Sequence, residues 1–181
     1  MRTVPLTVAL TITLFLPGTA RAEGPTDYLA PPSACPGALV VGTGATAEGR
    51  TLVCLINWAR RRAGLRPVAQ HRALRASAVI KAQAILSCGD FSHAPCGSAA
   101  TAAAVAVGYR YSFWAENLYW GSQTLGTPYA ATRAWLLSPP HRRQIFARTA
   151  RDAGIASVRT PRFAGVPDVT LWVLAVGKRR S

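Results

Sequence analysis

Four cysteines behind an export leader limit what this chain can become more than any other feature. Arg2 is followed by an apolar run from Val4 to Leu16, then Pro17-Gly18 and the triplet Ala20-Arg21-Ala22. A charged start, an apolar middle and an A-x-A site make a secretory signal peptide over residues 1–22, cleaved near Ala22. The run is too short for a transmembrane helix. Export to an oxidising compartment makes two disulfides the default for Cys35, Cys54, Cys88 and Cys96. Four cysteines allow three pairings. Sequence proximity favours Cys35–Cys54 and Cys88–Cys96. The competing use is a Cys-His zinc site, since Cys88 and Cys96 bracket His93, but exported thiols usually oxidise.

Beyond the leader, the chain is long enough for one domain. Residues 23–49 are rich in Pro, Gly, Ala and Thr without periodicity, and read as an extended arm pinned by Cys35. The folded domain is expected over residues 50–181. Residues 51–63 form an amphipathic helix with Leu52, Leu55, Ile56 and Ala59 on one face and Arg60, Arg61 and Arg62 at its end. Gly64 stops it, and residues 65–68 are extended. Residues 71–87 form a second helix with Leu74, Ala78, Ile85 and Leu86 as core. Residues 90–97 are a loop, and 99–107 a short Ala-rich helix. Residues 109–121 read as loop then strand, 127–137 as a helix, and 141–146 as one further turn. Residues 153–158 and 169–176 read as strands joined by a hairpin loop over 159–167. Helices first and strands later argue for α+β, with helices covering an antiparallel sheet.

The charge is lopsided: 21 Lys and Arg against 7 Asp and Glu, a formal +14. The leader holds two of those charges. Only Lys81 and Lys178 are lysines, and the Arg- and Ala-rich usage also fits a GC-rich coding bias. A basic exported protein is drawn to anionic phospholipid or acidic wall polymers. Nucleic acid is not an expected partner, because no binding motif is present.

Three short segments concentrate the chemistry: Asp90-Phe91-Ser92-His93, Trp114-Ala115-Glu116-Asn117 and Ser138-Pro139-Pro140-His141-Arg142. If His93, Glu116 and His141 converge, two imidazoles and a carboxylate form a ligand set for zinc or another divalent cation, with water as fourth ligand. Without metal, Glu116 could orient a His that activates Ser92 or a water. The third use is a hydrogen-bonded network tying loops together. Neither an H-x-x-x-H pair nor a G-x-S-x-G elbow is present. His71, at a helix start, reads as a surface residue. Among the aromatics, Trp114 and Leu118 read as core, while Tyr119 and Trp120 are candidates for an apolar ligand groove.

These segments resemble the CAP superfamily, the SCP-domain proteins that include cysteine-rich secretory proteins, antigen 5 and pathogenesis-related 1 proteins. The likeness is to the single-domain bacterial type. It runs through Ile56-Asn57-x-x-Arg60 to Gly64-Leu65-x-Pro67-Val68, then Phe91-Ser92-His93, then Gly108-Tyr109 leading to Trp114-Ala115-Glu116-Asn117-Leu118. It continues with Trp135-x-x-Ser138-Pro139-x-His141-Arg142 and ends with Ala153-Gly154-Ile155-Ala156. The resemblance implies a three-layer α-β-α sandwich with a central cleft. It also implies that His93, Glu116 and His141 line that cleft. The family's second acidic residue has no counterpart, since no Asp or Glu lies between Glu116 and His141.

The expectation is a secreted monomer that is not an enzyme, needs no cofactor, and binds at the cell envelope or in the medium. The alternatives are a metal-assisted hydrolase using His93, Glu116 and His141, and a lipid or sterol binding protein.

Overall fold

The computed structural model describes residues 24–180, so the leader expected over residues 1–22 lies outside them. The apolar run from Val169 to Val176 becomes the central strand of the sheet. β4 (Val166–Arg179) lies between β3 (Asp152–Phe163) and β2 (Tyr111–Ser122), antiparallel to both. β1 (Ala69–Gln70) adds a two-residue parallel edge, giving the order β1-β3-β4-β2. The sheet is therefore mixed rather than wholly antiparallel. The parallel pair arises because the extended segment after Gly64 passes the start of β3 on its way into the next helix.

A central strand buried on both faces needs a continuous apolar sequence, and side chains alternate between its two faces. Trp172, Leu174 and Val176 face a layer made by α1 (Ala45–Arg62), α4 (Pro128–Leu137) and α5 (Pro139–Ile145). Leu171, Val173 and Ala175 face α2 (Arg72–Cys88) and α3 (Ala102–Ala106). The result is the α-β-α sandwich.

α1 buries Leu52, Leu55, Ile56 and Ala59, as its periodicity requires. It starts at Ala45, earlier than expected. Glu48 in its first turn accepts hydrogen bonds from Gly42 N–H and the Ser157 hydroxyl, and its charge favours that helix end. The arm is correspondingly shorter and holds two single turns of 3-10 helix, Pro25–Tyr28 and Pro32–Ala34. Cys35–Cys54 ties it to α1, and Cys88–Cys96 closes the loop after α2.

At the end of α1, Arg60 is fully buried. Its guanidinium donates to Arg66 O at 2.8 Å, to Ala147 O at 3.2 Å and to Ile145 O. Burial and the nearby Arg151 lower its pKa. Asn57 exchanges two hydrogen bonds with the backbone of Val68, at 2.9 and 2.8 Å, fixing the segment beyond Gly64. Trp135 Nε1 donates to Leu118 O at 3.0 Å and so docks α4 on β2.

Two boundaries differ in kind. The broad hairpin loop expected over residues 159–167 is a tight turn at Ala164-Gly165, both with positive φ (47° and 81°). That is the twist a two-residue hairpin prefers. Pro161 and Pro167 stay within the strands because neither has a partner strand on its outer side there, so no ladder donor is missed. Residues 138–140 both stop α4 and start α5, with proline in the first turn, where its missing N–H is harmless.

Candidate functional site

β2 is an outer strand, and the candidate site forms along it where the two helical layers meet. Adjacent strand residues point to opposite faces. Glu116 turns toward the α2 layer, and Asn117 turns toward α5, where its Nδ2 donates to His141 O at 3.2 Å.

His93 sits on the loop closed by Cys88–Cys96. Gly89 makes the turn off α2 with φ 63°, a left-handed conformation that glycine adopts freely. From there His93 Nδ1–H donates to Glu116 Oε1 at 2.9 Å. The imidazole is half exposed, while Glu116 is only 4% exposed. His141 lies half-buried in α5. Burial and the proximity of His93 hold its pKa below the ordinary value. Glu116 thus lies beneath His93, while His141 is tied to β2 through its carbonyl and Asn117.

A residue the sequence motifs did not single out completes the arrangement. Lys81 of α2 is 2% exposed, and its Nζ stands 3.7 Å from Glu116 Oε1. The ammonium donates to His93 O and to Ala100 O, the latter at 3.0 Å. It neutralises the carboxylate and pins the His93 loop from below. The signal was present: Lys81 falls on the core-facing spacing Leu74, Ala78, Lys81, Ile85, where a lysine needs a buried partner.

This donor set does not fit a divalent cation as it stands. Glu116 Oε1 is already shared by an imidazole N–H and an ammonium. Among the described residues, no group of three or more His, Cys, Asp or Glu side chains is placed to hold a metal ion. Ser92 is turned elsewhere, its hydroxyl donating to Asp90 Oδ2 at 2.9 Å. What the cluster does is hold a buried carboxylate between an ammonium group and an imidazole.

Two other expectations are corrected. Tyr119 and Trp120 do not line one groove. Tyr119 packs on the core beside α1 and α4, with its hydroxyl donating to Leu125 O at 3.0 Å. Trp120 packs on the opposite face against Phe163, 5.7 Å between ring centroids. Their adjacency in a strand forces this. His71 is not a plain surface residue: its ring packs edge-on against Tyr109 at 5.2 Å, and its Nδ1 is shielded without a hydrogen-bond partner. Tyr109 is sealed in turn, its hydroxyl donating to Asp152 Oδ2 at 2.9 Å. Burial and that bond raise the pKa of Tyr109.

An α-β-α sandwich in which His93 of the loop after α2 meets Glu116 of the edge strand, with His141 on the short helix beside that strand, is the arrangement of a CAP-type domain. The family model for the cysteine-rich secretory protein family (CAP) matches residues 53–175, and the chain belongs to that family. No curated protein matches the chain in sequence. Among solved structures, an extracellular SCP-domain protein from Bacillus anthracis aligns with TM-score 0.62 at 15% identity, over 75% of this chain and 41% of that one. An outer surface protein of Borrelia burgdorferi aligns with TM-score 0.58 at 19% identity, over 71% of this chain and 90% of that one. A cysteine-rich secretory protein of Staphylococcus aureus gives TM-score 0.56 at 15% identity, over 77% and 40%. The chain thus spans about two fifths of the length of the Bacillus and Staphylococcus proteins. At these identities the likeness is one of fold.

Proposed function

We propose that this chain acts outside the cell as a non-catalytic CAP-domain protein that binds anionic envelope surfaces. The observation that carries this reading is where the acids go. Glu48, Glu116 and Asp152 are all buried, while nearly all of the arginines are on the surface. Among the described residues only Asp27, Asp90 and Asp168 remain as surface or half-buried acids. Folding therefore makes the exterior more one-sidedly positive than the composition alone. Such a surface attracts phospholipid headgroups and acidic polymers.

The cleft supports a structural use. Its carboxylate is engaged by Lys81 and His93, and the Ser92 hydroxyl is bonded to Asp90. An extracellular place is supported by the two disulfides and by relatives described as extracellular or outer-surface proteins. No helix among the described residues is long and apolar enough to cross a membrane.

The test is co-sedimentation with phosphatidylglycerol vesicles and, in parallel, with phosphatidylcholine vesicles. Retention on the anionic vesicles alone is expected. Equal retention on both, or on neither, contradicts the proposal.

A further inference from the structure

The basic charge is not spread evenly along the sheet. At one end β4 finishes and β2 and β3 begin, and there Arg110, Arg151, Lys178, Arg179 and Arg180 gather, all exposed. Their backbone is tied together: Arg180 N–H donates to Arg110 O at 3.0 Å, and Arg151 N–H to Gly177 O at 2.8 Å. Arg180 Nε donates to Tyr111 O at 2.8 Å. The cations therefore stand on a fixed face rather than on a loose tail. The acid at this end, Asp152, is buried, and its Oδ2 is engaged by the Tyr109 hydroxyl and by Arg179 Nε.

Two of the other acids lie near the opposite end. Asp168 is at the start of β4, and Asp90 precedes Phe91, whose ring packs edge-on against Phe163 at 6.4 Å. A 12-residue strand separates the two ends by about 35 Å. That is several times the screening length of about 8 Å at physiological salt, so these acids do not offset the cations. Asp27 belongs to the arm, where it accepts the Gly24 N–H.

An apolar feature lies among the charges. Val105, near the end of α3, is 64% exposed, the most of any large apolar side chain among the described residues. It shares an open groove of about 280 Å³ with Tyr111, Arg110 and Arg180. Tyr111 is half-buried and braced by stacking on Tyr109, with 6.4 Å between ring centroids. A soluble polyanion gains only from the cations. A bilayer also gains from an apolar side chain and a tyrosine at headgroup depth.

We infer that this end of the sheet is the face that docks on an anionic phospholipid bilayer, with Val105 and Tyr111 at headgroup depth. Arg110, Lys178 and Arg180 contact the lipid phosphates, since Arg179 is shared with Asp152 and Arg151 donates to the backbone of Arg148 and Ala150. The inference rests on the envelope-binding reading and gives it a direction: the β3–β4 hairpin, with Asp168, points away from the membrane.

The experiment compares binding to phosphatidylglycerol vesicles by the wild-type chain and by two triple variants with the same change in charge. Arg110→Gln, Lys178→Gln, Arg180→Gln together should weaken binding at least about tenfold. Arg50→Gln, Arg133→Gln, Arg159→Gln together, in the body of α1, α4 and β3, should weaken it less than about threefold. All six side chains are exposed, so both variants should fold, and melting curves check that. A polarity-sensitive fluorophore on Val105→Cys should shift to the blue with vesicles, and the same label on Ala164→Cys, in the hairpin turn, should not. Equal losses in the two triple variants, or no loss in the first, overturn the docking face and leave envelope binding standing. An unshifted label at Val105 also overturns it, and points to a polyanion in place of a bilayer. A wild-type chain that binds no vesicles overturns the docking face and the envelope reading together.

Discussion

Lys81 Nζ stands 3.7 Å from Glu116 Oε1, with both side chains almost sealed from water. Removing one member of such a pair strands the other charge in the interior. Lys81→Met should therefore destabilise the protein by about 2–3 kcal/mol, below the usual range for a broken buried pair because His93 still donates to Glu116. Adding Glu116→Gln should recover part of that loss. Urea unfolding of the two single variants and the double measures both effects. A cost below about 0.5 kcal/mol for Lys81→Met would mean that the pair organises nothing.

Acid should weaken the fold through His141. Burial and the nearby His93 favour its neutral form in the native state. Just below the ordinary histidine pKa of about 6.5, the unfolded chain then binds a proton that the native chain refuses. This contribution is fully present above that value and is lost as pH falls through the lowered native pKa. The melting temperature should fall on acidification from neutral pH, and His141→Gln should flatten that fall. An unchanged slope in the variant contradicts the assignment.

The two disulfides should differ under mild reductant. Cys88 and Cys96 are both exposed, whereas Cys35 is fully buried. Alkylation followed by mass spectrometry should find Cys88–Cys96 opened first. Its loss also frees the loop that carries His93, so the His93–Glu116 contact should loosen together with it. By loop-closure entropy, removing Cys35–Cys54 costs about 3 kcal/mol and removing Cys88–Cys96 slightly less, since the sequence separations are 19 and 8.

Gly154→Ala should be among the more damaging single changes. A β-carbon there would lie 2.0 Å from the carbonyl carbon of Leu74 and 2.3 Å from Arg75 N. Backbone cannot step aside as a side-chain tip can, so α2 would have to lift from the sheet. A loss of about 3 kcal/mol is expected by thermal or urea unfolding.

Much of the fold was legible because it rests on spacing. Leu52, Leu55, Ile56 and Ala59 declare the buried face of α1, and the run from Val169 to Val176 declares a strand covered on both sides. The proximity of the cysteines favoured the pairing that forms. What stayed hidden depends on contacts distant in sequence. Pro161 and Pro167 look like loop residues until the missing neighbour strands are known. At the site, the motifs pointed to His93 and Glu116, which do meet. Lys81 is hidden because lysines are mostly surface residues, although its position on the α2 core face marks it as buried. The split of Tyr119 and Trp120 came from alternation alone once residues 111–122 were one continuous strand.

The most direct test of the account is the salt dependence of binding to phosphatidylglycerol vesicles. Surface attraction between so basic a chain and anionic lipid must screen. The binding constant should fall by at least about tenfold as salt rises from about 0.05 to about 0.3 M. A binding constant that stays level over that range would contradict the central claim.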